Sequence, residues 1–160
     1  LVGNNKWRIM LKFADYDIVF QEVPDETTLA LNLSNCPHRC EGCHSPQLRE
    51  DIGTPLTPDS LDALLAIYPY VTCVGLMGGD GDRNTLLEMA HYIRSIGKKV
   101  AWYTGSDVLP ADFPVPDFDF IKVGSYVAAL GGLKSPTTNQ HFYRIDNGEM
   151  IDETYRFQRK

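Results

Sequence analysis

The chain has 160 residues, 43% of them hydrophobic and 22% charged, with a formal net charge of −6. That length suits one domain able to bury a core of its own. The acidic balance, with no basic run longer than Lys98-Lys99, excludes the basic stripe of a nucleic-acid groove. No apolar stretch approaches the ~18 residues of a membrane span. The start of the chain, Leu1 to Arg8, lacks the apolar core of a signal peptide. Three of the four cysteines cluster, as in a metal site of a reducing compartment rather than a secreted disulfide framework. The cytoplasm is therefore expected.

In chain order, Ile9–Phe13 and Ile18–Val23 are short apolar segments separated by Ala14-Asp15-Tyr16-Asp17. They read as a hairpin or extended arm over about residues 1–25. Leu29-Ala30-Leu31-Asn32-Leu33 alternates like a strand and runs into Cys36-Pro37-His38-Arg39-Cys40-Glu41-Gly42-Cys43. Thr57-Pro58-Asp59 is a helix start, with a capping hydroxyl, a first-turn proline and an acid at the positive dipole end. Leu61, Leu64, Leu65 and Tyr68 follow at helical spacing.

Val71–Leu76 is a near-continuous apolar run, as in a strand buried on both faces, and ends in Met77-Gly78-Gly79-Asp80-Gly81-Asp82. A second helix is expected over about Asn84 to Ile96, with Gly97 as its stop. Val100–Tyr103 and Phe118–Val123 read as strands opening into Thr104-Gly105-Ser106 and Gly124-Ser125. Strands alternating with helices predict parallel βαβ units, whose sites lie at the strands' C-terminal ends. The four loops should therefore meet at one edge. The chain is too short for eight βα units, so a partial, open barrel is expected in place of a closed one.

The C-x3-C-x2-C spacing carries the chemistry. Thiolates are soft ligands that select iron–sulfur clusters, zinc or copper(I). A four-iron cluster normally takes four cysteines, so three leave one iron open to another ligand. The alternative is a zinc site of three cysteines with His38 or His44, a binding module without catalysis. No Ser/His/Asp arrangement or paired carboxylate stands out.

These residues resemble the radical S-adenosylmethionine superfamily. Its hallmark is a C-x3-C-x2-C loop after the first strand, accompanied by a Gly-Gly-Glu or Gly-Gly-Asp segment after the second. The chain is further similar to the activating proteins of anaerobic (class III) ribonucleoside-triphosphate reductases. Glu41-Gly42-Cys43, Trp102-Tyr103-Thr104-Gly105 and Ser135-Pro136-Thr137-Thr138-Asn139-Gln140 carry that likeness, which covers about Leu29 to Ile145. The chain departs from the pattern at Gln21–Glu26, where many members have Asp-Gly-Pro-Gly, and at Val123-Gly124, where Asp-Gly is common.

The resemblance implies an α/β fold, a partial, open (β/α) barrel of the radical S-adenosylmethionine type with a mostly parallel sheet, as one domain over residues 1–160. It implies a 4Fe-4S cluster on Cys36, Cys40 and Cys43, and S-adenosyl-L-methionine bound by Gly42, His44, Gly78, Gly79, Asp80, Thr104 and Gly105. Asp80 would accept from the cofactor's ammonium group. Turn chemistry is the plain alternative for the Gly-Gly-Asp and Thr-Gly segments, and a hydrogen-bonding role behind the ligands for His44. The activity implied is that of an oxidoreductase. A 5′-deoxyadenosyl radical takes a hydrogen atom from a glycine of the reductase's large subunit, with a flavodoxin-type protein as electron donor. Another protein target, or a small-molecule radical reaction, keeps the same chemistry.

Of the remaining residues, Lys122 either reaches the cofactor's carboxylate from its strand end or, more ordinarily, is a solvated lysine. Cys73 reads as an inert core thiol and Asp82 as a loop or capping residue. Asn139-Gln140 is a polar loop or, as the resemblance implies, a structural or partner-docking element. His91 and His141 have no partner identifiable in the sequence.

Overall fold

The computed structural model describes residues 11–38, 40, 43 and 45–158. Its strands are β1 (Lys12–Val19), β2 (Thr28–Leu33), β3 (Thr54–Pro55), β4 (Cys73–Met77), β5 (Lys99–Tyr103), β6 (Phe120–Val123), β7 (His141–Asp146) and β8 (Glu149–Asp152). Two α-helices, α1 (Pro58–Ile67) and α2 (Arg83–Ser95), accompany them. All strands join one sheet in the order β3-β1-β2-β4-β5-β6-β7-β8.

The helices form where the sequence signals them. Thr57 and Ser60 make a reciprocal capping box, Ser60 N to Thr57 Oγ1 at 3.1 Å and Thr57 N to Ser60 Oγ at 2.9 Å, which satisfies two otherwise orphaned donors. Asp82 caps α2, accepting from Thr85 N at 3.2 Å, and the helix buries Leu86, Met89, Ala90 and Ile93.

The expected partial (β/α) barrel with a mostly parallel sheet is not what forms. β2, β4, β5 and β6 are parallel, giving three parallel junctions. Four antiparallel junctions flank them: β3–β1, β1–β2, β6–β7 and β7–β8. The architecture is a mixed eight-stranded sheet with two helices. The crossover from β5 to β6 holds only a 3-10 turn, Val115–Asp117. Pro110, Pro114 and Pro116 explain this, because each proline lacks an N–H and clashes with the preceding helical turn.

Of the hairpin or extended arm expected at the N-terminus, the described part is extended. Ala14–Asp17 lie inside β1, where Tyr16 and Asp17 pair with Leu31 and Ala30. A bulge between Phe13 and Asp15 takes up the irregular register. The terminal hairpin turns on Asn147-Gly148, with φ of 51° and 81°, the two-residue turn whose twist matches its strands.

The side chains alternate across this sheet. Leu29, Leu31, Val74, Leu76, Val100, Trp102 and Ile121 pack with Leu61, Leu64, Leu86 and Ile93 in the main core under the helices. The opposite face is smaller: Cys73, Ala101, Phe120 and Phe142, covered by Val23, Leu133 and Phe157. Burying a Leu, Ile or Phe side chain contributes about 1.5–3 kcal/mol, so the helix-covered face dominates stability. The four loops after β2, β4, β5 and β6 are left together at one edge.

Candidate metal centre and the loops beside it

The cysteine loop is closed at its neck by main-chain hydrogen bonds. Asn35 N donates to Glu50 O at 3.1 Å and Cys36 N to Leu48 O at 2.9 Å. Ser34 Oγ donates to Ile52 O at 2.6 Å. Within the loop Cys43 N donates to Cys40 O at 3.2 Å, and Arg49 Nη2 reaches the same carbonyl at 2.9 Å. The Ser45 N–H points at Cys43 Sγ, 3.4 Å away.

Cys36, Cys40 and Cys43 are free, half-buried thiols. Burial pushes the Cys36 thiol above its ordinary range; a hydrogen bond from the His38 backbone opposes this, while Asp80, Cys40 and Cys43 add to it. Thiolates crowded this way are relieved by a cationic metal core. Among the described residues, no group of three His, Cys, Asp or Glu side chains is placed to hold a metal ion. Iron–sulfur clusters are held by cysteine thiolates, and this neck-closed loop carries three of them. Gly42 and His44 lie outside the described residues.

The Gly-Gly-Asp loop stands against the cysteine loop. Gly78 and Gly79 have φ of 112° and 93°, where side chains are rarely tolerated. They turn the chain so that Asp80 points inward, its side chain 5% exposed. That carboxylate accepts from Thr104 Oγ1 at 2.6 Å, Gly105 N at 3.2 Å and His38 Nε2 at 2.9 Å. Three loops are thus tied at one group, which keeps one of its roughly four acceptor sites free. Gly105 is required by close approach: a Cβ there would sit 2.8 Å from the His38 ring.

Lys122 corrects the ordinary expectation of a solvated lysine. Its Nζ donates to Gly124 O at 2.9 Å and Thr104 O at 3.4 Å, and lies 5.9 Å from the centre of the Tyr103 ring. Burial pushes its pKa down to about 8, against the pull of Asp80, Cys40 and Asp107. Strand alternation was the available signal, because it sets Lys122 on the Phe120 face beside Tyr103.

Asn139 and Gln140 brace the loop after β6. Asn139 Nδ2 donates to Ser125 O at 3.0 Å and Gln140 Nε2 to Gly124 O at 3.4 Å. Ser125 donates from N and Oγ to Asp107 at 2.9 and 3.1 Å, which holds that carboxyl below its usual range despite some desolvation. Asp82 is the cap of α2. His91 and His141 have partners the sequence did not reveal, Asp117 at 2.7 Å and Asp152 at 2.9 Å.

Cys73 is a core thiol, pushed by burial to about 12. It pairs with Thr28 and Lys99 at the start of the parallel strands, whereas the cysteine loop follows their far ends. A five-residue strand spans roughly 15 Å, so Cys73 stands apart from the other three.

Residues 27–110, just over half of the chain, match the family described as a 4Fe-4S single cluster domain. The chain belongs to that family. The matched span begins just before β2 and takes in the cysteine, Gly-Gly-Asp and Thr-Gly loops. This makes the chain an iron–sulfur protein and favours a cluster over the zinc alternative. No curated protein and no solved structure matches it. No helix among the described residues is long and apolar enough to cross a membrane.

Proposed function

We propose that Cys36, Cys40 and Cys43 hold a 4Fe-4S cluster whose fourth iron binds S-adenosylmethionine, and that the protein is a glycyl-radical activase. The observation that carries this reading is the cysteine geometry: three thiols share one loop, and the fourth is buried at the other end of the sheet. A single-cluster family with three available thiolates leaves one iron for a non-protein ligand. When bound, the reduced cluster supplies the electron that splits the sulfonium into methionine and a 5′-deoxyadenosyl radical.

The chain's own residues bind and orient. Gly78 and Gly79 would let backbone approach the methionine end of the cofactor, and the free acceptor site of Asp80 would accept from its ammonium group. Thr104 and Gly105 hold Asp80 in place. Gly42 and His44 take the adenine side by resemblance. Hydrogen-atom transfer to a carbon radical needs no general base. The resemblance in motifs supports the anaerobic ribonucleoside-triphosphate reductase as the protein substrate, with an electron donor such as a flavodoxin-type protein. It rests on those motifs and not on the barrel.

Electron paramagnetic resonance on the anaerobically reconstituted, reduced protein tests this. The expected result is a cluster signal that changes on adding S-adenosylmethionine, followed by a glycyl radical when the reductase is added. A cluster indifferent to S-adenosylmethionine would make the protein an electron carrier, and bound zinc without iron would end the reading.

A further inference from the structure

Arg49 ends the 3-10 turn Pro46–Arg49 and reaches back to the cysteine loop, where its Nη2 donates to the Cys40 carbonyl. Its Nε is buried and has no hydrogen-bond partner. No carboxylate among the described residues forms an ion pair with it. Asp51, two residues on, is engaged by Lys12 at 2.9 Å and by Asn35 at 2.9 Å. A guanidinium does not deprotonate in proteins. Arg49 is half-buried, and the part of its charge held away from water is favoured by a nearby anion. The anion-forming groups of the loop it clamps are the three thiols and Glu41, and the guanidinium's own contact is with the Cys40 main chain.

We infer that Arg49 is the counter-charge of the cluster, clamping the Cys40 segment and stabilising the reduced state. Cluster potentials respond to net charge, hydrogen bonding and exposure; Arg49 acts through charge. Reduction adds one negative charge beside a fixed positive one, so Arg49 raises the midpoint potential and eases electron delivery from the donor. It is a positioning and tuning residue that need not touch the substrate. The inference rests on the ligand assignment of Cys36, Cys40 and Cys43, and is independent of S-adenosylmethionine and of the protein target.

The test is a redox titration followed by electron paramagnetic resonance, without S-adenosylmethionine, on the anaerobically reconstituted full chain and its Arg49→Lys and Arg49→Gln variants. Iron and sulfide per chain are measured on each. The expected result is a more negative midpoint in Arg49→Gln and a wild-type midpoint in Arg49→Lys. A wild-type midpoint in Arg49→Gln overturns the inference, as does an equal shift in both variants. If Arg49→Gln takes up no cluster, Arg49→Lys decides. Loading with a wild-type midpoint supports the charge role, and loss of the cluster or a shifted midpoint refutes it. A wild-type protein that binds no iron refutes the ligand assignment and this inference together. One whose cluster ignores S-adenosylmethionine refutes the activase reading and leaves Arg49 standing.

Discussion

Lys122 holds its charge at a cost to the apo protein. Its pKa of about 8 against the ordinary 10.5 corresponds to roughly 3 kcal/mol. Between those two values the unfolded chain binds more protons than the folded one, so this lysine makes stability rise with pH. Below pH 8 the burden is fully present; by pH 10.5 it is relieved. Lys122→Met removes it, less about 1 kcal/mol for each lost hydrogen bond to Gly124 and Thr104. In urea denaturation of the apo proteins, wild type should gain on Lys122→Met as pH rises from about 8 to 10.5. Parallel stability curves would show that Lys122 is not buried as described. The contrast with the cysteines explains what was legible at this scale. Three thiols in eight residues announce themselves locally, whereas the state of Lys122 depends on Tyr103 and on loops distant in sequence.

The helices were legible because their signals are local. Thr57, Pro58 and Ser60 satisfy the first turn of α1 from within a few residues of it, and apolar spacing marks the buried face of each helix. Thr57→Ala removes one half of the capping box and should cost about 1 kcal/mol, read as a lower thermal midpoint with an unchanged circular dichroism spectrum. No loss would mean that Ser60 and the main chain suffice. Strands were read less well, since their signal is shared with partners. Ala14–Asp17 looks like a turn by composition, yet pairing with β2 keeps it extended. The β5–β6 connection carries no helix signal, and its prolines argue against one. Asn147-Gly148 is a local turn signal that holds β7 and β8 together.

At the scale of the whole molecule, the metal site and the core are separate. The main core runs from Leu33 to Leu56 without a residue of the cysteine loop. A Cys36→Ala/Cys40→Ala/Cys43→Ala protein should therefore keep its far-ultraviolet spectrum and a cooperative thermal transition while losing iron. Chelating the metal from wild type should give the same state. Global unfolding on either treatment would mean that the cluster supports the fold. The apolar runs and caps were enough for the sequence by itself to determine both helices, the parallel strands β2, β4, β5 and β6, and the loops after them that carry the candidate residues. The spacing of Cys36, Cys40 and Cys43 likewise puts three soft ligands on one loop, in keeping with the iron–sulfur family that residues 27–110 match. Only the tertiary structure decided that the sheet is mixed, that Cys73 lies away from the cluster loop, and that Asp80, His38 and Thr104 join three loops. Those are outcomes of register and chain crossing, where residues far apart in sequence select one another through packing and hydrogen bonding.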